Sequence, residues 1–161
     1  MPIPASIEKF LGERGVRYET LTHRKAFTAQ EEAAVTHVPG QEWAKTVVCF
    51  ADGEPVLAVL PATHFVDTDR LERLAGAQGV RLATEKELAP LFADCEPGAM
   101  PPFGCLYDRR VFVDISLARD PEIVFNAGTH VDAIRMAYDD FAALANPVVG
   151  EFAVRIHRHV S

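Results

Sequence analysis

The sequence predicts an α+β domain in which helices surround a mixed, barrel-like β-sheet. Apolar residues recur at helical spacing in some segments, and in others they form the continuous or alternating runs typical of strands. These segments do not follow the regular strand–helix alternation of a parallel α/β protein, and this favours the α+β class. A chain of 161 residues can bury one sizeable core, so residues 1–161 are expected to form a single domain.

Helices are predicted where apolar residues at helical spacing lie between start and stop signals. The first helix rests on four apolar residues and a glycine that can end it: Ile3, Ile7, Phe10, Leu11 and Gly15. Four further helices are predicted: one opened by a capping box at residues 28–31 and ended by Pro39-Gly40, one near residues 68–75 that closes at Gly76, one from the capping box at residues 84–87 to about Phe92, and one around residues 139–144.

Strands are predicted in apolar or β-branched runs. The run at residues 43–50 is followed by Asp52-Gly53 and then by an apolar run at residues 55–60. Asp-Gly between two such runs is typical of a β-hairpin. Shorter strands are predicted at residues 80–82, 105–107, 111–114, 123–126 and 131–136.

Composition excludes several classes of function. The formal net charge of −7 argues against a broad nucleic-acid surface, so DNA binding is not expected, although one local basic pocket could hold a few phosphates. No apolar run has membrane-spanning length, and the first residues lack the pattern of a secretory signal. Three cysteines at irregular spacing fit a reducing, cytoplasmic location.

Several catalytic motifs are missing from the sequence. It contains no GxSxG, Walker A, GxGxxG or HExxH motif, so a serine nucleophile, a phosphate-binding glycine loop and a zinc site are not expected. His157 and His159 could bind a metal ion, but histidines in a terminal tail are more often solvated.

Lys45 is the most unusual residue, because it interrupts the otherwise apolar or β-branched run at residues 43–50. Such a run is typical of a strand covered on both faces, where lysine is rare without a partner. An amine held there either loses its proton or holds an anion or a carbonyl oxygen. The alternative is an edge strand, with the stem of Lys45 along the surface and its amine in water.

The segment at residues 98–104 is a second anomaly. Gly98 and Gly104 let the backbone adopt unusual dihedral angles and approach a ligand closely, while Pro101 and Pro102 stiffen the centre. A stiff loop can hold backbone N–H groups ready for a carbonyl group or an oxyanion. The alternative is a plain connection between a helix and a strand.

A third feature is the polar turn that follows the predicted strand at residues 123–126. Gly128 breaks the strand, and Thr129 and His130 offer polar side chains. His130 could equally be a hydrogen-bonded turn residue or part of a site. Asp114 is expected to cap the segment after it rather than to orient a site residue.

In this order, the three features resemble the YbaK/ProX family of trans-editing aminoacyl-tRNA deacylases, which includes the domain inserted in bacterial prolyl-tRNA synthetases. Lys45-Thr46-Val47-Val48 is similar to the family's strand lysine and the polar residue after it. Gly98 and Pro102 stand at the positions of its GxxxP loop. Phe112-Val113-Asp114 and residues 123–128 resemble its late strand pair, which ends in Ala-Gly, and the resemblance covers roughly residues 27–152.

The resemblance implies an enzyme that hydrolyses the ester between a mischarged amino acid and the terminal ribose of tRNA, without a protein nucleophile, cofactor or metal ion. It implies two partners, the acceptor end of aminoacyl-tRNA and prolyl-tRNA synthetase, and no contact with membranes. The residues that it assigns to catalysis are Lys45, Gly98, Pro102 and Gly104. Those that it assigns to substrate binding are Thr46, Met100, Pro101, Phe103, Asn126, Gly128, Thr129 and His130.

Two features of the sequence are similar to different branches of the family, so the identity of the mischarged amino acid stays open. Lys45-Thr46 is similar to the cysteinyl-tRNA(Pro) branch, whereas His130 is similar to the alanyl-type members. The expected substrate is therefore tRNA(Pro) carrying cysteine, alanine or a similarly small amino acid. Arg109, Arg110 and Arg135 could help to hold the tRNA, or could be solvated surface residues.

Two other classes of function stay open. A non-catalytic module of the same fold could bind an amino acid or a nucleotide, or dock on a synthetase, since fold does not fix function. A thiol enzyme could use Cys95 or Cys105 as its nucleophile.

Overall fold

The computed structural model describes residues 3–23, 29–36 and 38–155. The helices in these ranges are α1 (Ala5–Arg14), α2 (Ala29–Thr36), α3 (Thr68–Ala75), α4 (Glu85–Leu91), α5 (Ile115–Ala118) and α6 (Tyr138–Ala145), with one 3-10 helix at Gly104–Leu106. The strands are β1 (Tyr18–Thr22), β2 (Ala44–Ala51), β3 (Glu54–Pro61), β4 (His64–Val66), β5 (Val80–Leu82), β6 (Arg110–Asp114), β7 (Glu122–Asn126), β8 (Asp132–Ala137), β9 (Val148–Gly150) and β10 (Ala153–Arg155). The irregular order of helices and strands is α+β, as predicted. None of the helices built from these residues is long and apolar enough to cross a bilayer.

The helix ends carry the local signals that predicted them. Gly15 ends α1 and Gly76 ends α3, with φ of 66° and 67° in the left-handed region that glycine adopts at low cost. Thr84 and Glu87 form the predicted capping box of α4. The capping box proposed for α2 includes Thr28, which lies outside the described residues.

The predicted hairpin is confirmed. β2 and β3 pair with Ala51 opposite Glu54, so Asp52 and Gly53 form a two-residue loop. Both loop residues have positive φ, 50° and 83°, as the tight turns that match the twist of paired strands require. The Asp52 carboxylate also accepts a hydrogen bond from the N–H of Gly79 at 3.0 Å, which helps to hold β5 beside β2.

The strands form three sheets. The five-stranded sheet, in the order β5-β2-β3-β6-β9, is mixed, because β2 is antiparallel to β3 and β5 whereas β3, β6 and β9 are parallel. β1, β8 and β7 form an antiparallel sheet, and β10 pairs with β4. One parallel bridge, between Trp43 and Val124, joins the start of β2 to β7. Among the described strands, pairing between the two larger sheets is limited to this bridge, and the strands do not close into a barrel. The barrel-like part of the fold prediction is therefore not confirmed.

The main core lies between the two larger sheets. The five-stranded sheet and the three-stranded sheet each contribute alternate residues to it, among them Leu57, Val59, Val111 and Val113 from the former and Ile123, Phe125, Ile134 and Met136 from the latter. The other face of the five-stranded sheet carries a second cluster formed by Cys49, Ala51, Val56, Ala58, Leu60, Phe112, Leu71 and Phe152. This sheet is therefore covered on both faces, as the apolar run at residues 43–50 predicted.

A third apolar cluster forms around the Trp43–Val124 bridge. It joins α2 to both larger sheets and consists of Ala33, Val38, Trp43, Ala62, Val124 and Ala133. Trp43 is fully buried in this cluster. The bridge and α2 together form the seam between the two larger sheets.

The prediction of a strand at residues 105–107 is wrong. The chain forms the 3-10 helix there, and the N–H groups of Tyr107 and Arg109 both donate to the carbonyl oxygen of Gly104, at 3.0 and 2.9 Å. A Cβ on Gly104 would clash with the carbonyl oxygen of Arg109, so this reversal of the chain depends on glycine. The sequence patterns also missed α5 and the strands β1, β4, β9 and β10.

Candidate active site

Lys45 lies near the start of β2, with its side chain half-buried. Its neighbours Ala44 and Val48 belong to the main core, so alternation along the strand directs Lys45 to the opposite face, between Trp43 and Val47. Burial lowers the pKa of Lys45 below its ordinary value. Within the described ranges, its amine forms no hydrogen bond or ion pair, so a partly desolvated cation stands at the edge of the seam.

The strand pairing explains why Lys45 is neither fully buried nor fully exposed. β3 pairs with β2 along its whole length, but β5 covers only residues 49–51. Lys45 therefore has a covering strand on one side only, as the edge-strand interpretation expects, yet its side chain does not extend freely into water.

The Trp43–Val124 bridge relates Lys45 to Asn126. The two bridge residues pair in parallel, and the N–H of Val124 donates to the carbonyl oxygen of Glu42 at 3.1 Å. Two residues further along each strand stand Lys45 and Asn126, which therefore project from the same face as the bridge residues. That face is the one covered by α2.

Asn126 connects β7 to a buried carboxyl group on α2. Its Nδ2 donates a hydrogen bond of 3.1 Å to Oε1 of Glu32, a residue that is 1% exposed. Burial raises the pKa of Glu32 to about 7, and the negative charge of Glu31 adds to this effect, although the hydrogen bond from Asn126 opposes it. Oε2 of Glu32 and Oδ1 of Asn126 are buried and have no hydrogen-bond partner among the residues that the structure describes.

The loop before the 3-10 helix and the turn after β7 are joined into one unit. The N–H of Glu96 donates to the carbonyl oxygen of Gly128 at 2.8 Å, and the N–H of Gly128 donates to that of Ala99 at 2.9 Å. The N–H of His130 donates to the carboxylate of Glu96 at 2.7 Å. His130 also places Nε2 2.8 Å from the carbonyl oxygen of Pro97. The two segments predicted separately from sequence are thus brought together.

Two glycines of this unit depend on having no side chain. Gly98 is exposed, has a φ of 85°, and lies against the His130 ring, since a Cβ there would be 3.6 Å from Cε1. Gly128 has a φ of 93°, and a Cβ there would come within 2.6 Å of Cδ of Pro4. The ring of His130 and the start of α1 therefore approach the backbone closely because of these glycines.

The remaining predicted residues of the loop are part of the core. Pro101, Pro102 and Gly104 are buried, and Met100 and Phe103 are 3% and 0% exposed. The Phe103 ring packs against the rings of Phe10, Phe125 and Phe141 at centroid distances of 5.4 to 5.8 Å. Their side chains hold the loop in place, so a contact between the loop and a ligand would be made at its exposed end, near Gly98.

The hydroxyl groups of Thr46 and Thr129 differ in their hydrogen-bond partners. The Thr129 hydroxyl donates to the Asp132 carboxylate at 2.7 Å and accepts from the N–H groups of Val131 and Asp132, so it organises the turn. The Thr46 hydroxyl is buried without a hydrogen-bond partner among the described residues, so its polar group is not satisfied within that part of the protein.

Asp114 is a structural cap, as expected. Its carboxylate accepts hydrogen bonds from the N–H and hydroxyl groups of Ser116 and from the N–H groups of Phe152 and Ala153. These bonds lower the pKa of Asp114, although burial opposes them. The residue starts α5 and fixes the segment between β9 and β10.

The cysteines do not have the properties of nucleophiles. Burial raises the pKa of the Cys95 and Cys49 thiols to about 12, and it also raises that of Cys105. The attacking species in thiol chemistry is the thiolate, which is scarce near neutral pH for such groups. The raised pKa values of Cys95 and Cys105 therefore argue against the thiol-enzyme alternative.

The three arginines that could help to hold the tRNA make contacts near the surface. The Arg135 guanidinium lies 3.6 Å from the Glu19 carboxylate, and the guanidinium of Arg110 lies over the Phe112 ring at 5.3 Å. Arg109 is half-buried beside Gly104. These contacts do not assign the three arginines to the site.

Glu32 is the main residue that the sequence patterns missed. Its neighbour Glu31 is exposed, and only the fold distinguishes the two acidic residues. The one available signal was the short apolar stretch that follows Glu32, which is typical of a helix side that faces a core.

Parts of prolyl-tRNA ligases are similar in sequence to this chain. The prolyl-tRNA ligase of Nitratidesulfovibrio vulgaris (strain Hildenborough) is 30% identical over 117 residues, which cover 71% of this chain and 20% of the ligase. That of Xanthomonas oryzae pv. oryzae is 28% identical over 134 residues, or 78% of this chain and 24% of the ligase. The chain thus spans only about a fifth to a quarter of these relatives.

Solved structures share the fold. A crystal structure of a candidate trans-editing enzyme for prolyl tRNA synthetase superimposes with a TM-score of 0.80 at 22% identity, covering 96% of this chain and 98% of the other. A hypothetical protein superimposes with a TM-score of 0.83 at 22% identity. Residues 23–144 match the profile of the aminoacyl-tRNA editing domain, which confirms the resemblance that the sequence motifs indicated. This chain belongs to the aminoacyl-tRNA editing domain family.

Proposed function

We propose that this chain is an aminoacyl-tRNA deacylase that acts in trans on mischarged tRNA. The expected substrate is tRNA(Pro) carrying cysteine, alanine or a similarly small amino acid. Two observations support the proposal: the half-buried Lys45 shares a face with Asn126 at the seam, and Gly98 and His130 are in contact. A cation, an exposed loop end and a polar turn are the parts that ester hydrolysis without a protein nucleophile requires.

Lys45 supplies the positive charge in this mechanism. Its amine holds the terminal phosphate or polarises the ester carbonyl group, and partial burial strengthens that attraction because water screens it less. The backbone at the exposed end of the loop, near Gly98, positions the ester carbonyl and stabilises the tetrahedral oxyanion. The buried prolines keep that backbone in place before the substrate arrives.

The attacking group comes from outside the protein side chains. The thiols have raised pKa values, and the serines do not lie in a nucleophile motif. Water, a ribose hydroxyl or the side chain of the misloaded amino acid therefore attacks the ester carbonyl.

Selectivity in this proposal rests on the position of His130. The ring packs on Gly98 and lies 7% exposed, so it forms a rigid wall for the amino acid. Synthetases reject a smaller amino acid by only about 1–3 kcal/mol per methylene, so a second, smaller pocket is a physical solution to misloading. Prolyl-tRNA synthetase is the proposed partner, and translation in the cytoplasm is the proposed setting.

A direct experiment incubates the protein with tRNA(Pro) misacylated with alanine, cysteine, serine or threonine and measures the release of each amino acid. Release of one or two small amino acids supports the proposal. Binding of aminoacyl-tRNA without hydrolysis, even at high protein concentration, would instead favour the non-catalytic module. Correctly charged prolyl-tRNA(Pro) is the control and should remain intact.

A further inference from the structure

The Glu32 carboxyl group is a buried acid inside the candidate site. Oε1 accepts a hydrogen bond from Asn126 and lies 4.0 Å from Nδ1 of His130. Oε2 is buried and accepts no hydrogen bond from a described residue. A carboxylate in such surroundings is costly, so it needs a proton or a nearby cation.

The other ring nitrogen of His130 defines what Nδ1 can do. Nε2 lies 2.8 Å from the carbonyl oxygen of Pro97, and a carbonyl oxygen can only accept. Nε2 therefore carries the hydrogen. In a neutral imidazole the second nitrogen is then an acceptor, and here that nitrogen faces the Glu32 carboxyl group. Attraction between the two groups requires a proton on one of them.

We propose that Glu32 is a positioning residue of the site: its carboxyl group and the His130 ring together carry one proton, so that attraction across the 4.0 Å between Oε1 and Nδ1 helps to keep the ring against Gly98 with Nε2–H directed to Pro97. The inference rests on the proposed function, in which His130 forms the wall beside the amino acid. Either a Glu32 O–H group faces the neutral ring, or an imidazolium faces the carboxylate. Both arrangements carry the same total charge, and the raised pKa of Glu32 fits proton retention near neutral pH.

The other charged groups around the pair favour retention of the proton. Glu31 lies beside Glu32 on α2 and raises its pKa. Glu96, from the loop, accepts the backbone N–H of His130 at 2.7 Å, and Asp132 lies close in sequence. Lys45 projects from β2 on the same face as Asn126. When the pair loses its proton, a ring acceptor faces a carboxylate, and the attraction that helps to hold the ring is lost.

Two substitutions at position 32 distinguish the effect of the side chain's shape from the effect of its proton. Glu32→Gln keeps the shape, can accept from Asn126 through its oxygen, and has no carboxyl proton to lose, so it stays neutral at every pH. Glu32→Ala removes the group. We expect Glu32→Ala to lower kcat/KM for deacylation by about tenfold or more at every pH, because misplacement of a site group is costly. Glu32→Gln should match the wild type below about pH 7 and fall less steeply above it. Glu85→Gln, which alters an exposed carboxylate on α4, is the control and should follow the wild-type profile.

An NMR measurement tests the same inference without any assay of activity. With 15N-labelled histidine, Nε2 of the His130 ring should carry hydrogen in the wild type and in Glu32→Gln, and the Nδ1 signal should shift in Glu32→Ala, which lacks the facing carboxyl group. With 13C-labelled glutamate, the Glu32 carboxyl carbon should titrate near pH 7. Titration of Glu32 near its ordinary value of 4.5, or identical pH profiles for wild type and Glu32→Gln, would overturn the inference. If the wild type hydrolyses no ester, the NMR result still decides the role of Glu32, and only the proposed function fails.

Discussion

Gly98 lies directly against the ring of His130, at a backbone conformation that side-chain-bearing residues rarely adopt. Its φ is 85°, and a Cβ there would make an ordinary contact of 3.6 Å with Cε1 of the ring. Gly98 of the loop and His130 of the turn therefore form one contact. The hydrogen bond between His130 and Pro97 fixes it.

Gly98→Ala should weaken both stability and activity. The positive φ costs an alanine about 1–2 kcal/mol of unfolding free energy, and relief of that strain would move the loop end away from its position beside His130. Urea denaturation and kcat/KM for deacylation measure the two effects. Gly15→Ala is the matched control, because Gly15 has a φ of 66° with no atom within 4 Å and ends α1. It should lose similar stability but keep its activity; equal activity in both variants would contradict the role of Gly98.

Gly104→Ala should be far more damaging to the fold. An added Cβ meets the carbonyl oxygen of Arg109, which is backbone and cannot move aside cheaply. We expect a loss of about 2 kcal/mol or more in unfolding free energy. Gly12→Ala, in α1 with no atom within 4 Å, should instead gain up to about 1 kcal/mol. Thermal unfolding of both variants checks the prediction, and an unchanged midpoint for Gly104→Ala would show that the turn is not tightly packed.

The Glu32 carboxyl group makes stability depend on pH. Its pKa is about 7 in the folded chain and 4.5 ordinarily, so between these values the folded chain holds a proton that the unfolded chain has released. The stabilising contribution is complete below pH 4.5 and is lost as pH rises toward 7. Denaturation across this window should show the wild type losing more stability than Glu32→Gln. Parallel curves for the two proteins would be inconsistent with a buried neutral acid.

Loss of the thiols should leave hydrolysis unaffected. Burial raises the pKa of Cys95 and Cys105, so neither is a ready nucleophile at neutral pH. Cys95→Ser and Cys105→Ser should each keep deacylation within about twofold of the wild type, as is usual for groups outside the chemistry. A large loss in Cys105→Ser, with the fold intact by circular dichroism, would restore the thiol-enzyme alternative.

Local chemistry explains the parts of the fold that could be predicted from sequence. The Asp52-Gly53 turn, the glycine at the end of α3 and the capping box of α4 each act within a few residues, so the sequence pattern contains the whole cause. The strands β1, β9 and β10 could not be found in this way. β1 alternates polar and apolar residues weakly and exists because it pairs with β8, more than a hundred residues later.

The candidate site was predictable in its parts but not in its arrangement. Lys45, Gly98 and His130 each stood out by residue type, yet the relation between Lys45 and Asn126 depends on the Trp43–Val124 bridge, which joins distant segments. Glu32 has the same local signature as the exposed Glu31, so only packing reveals its burial. Pro101, Met100 and Phe103 were assigned to binding, and their burial in the core leaves that role a prediction.

The deacylation rate of Lys45→Ala tests the central claim most directly. We expect kcat/KM on mischarged tRNA(Pro) to fall by about tenfold or more, because the charge that stabilises the ester group or phosphate is removed. Lys86→Ala, which removes an exposed lysine from α4, should retain full activity. A folded Lys45→Ala protein with the wild-type rate would contradict the assignment of Lys45 and, with it, the proposed active site.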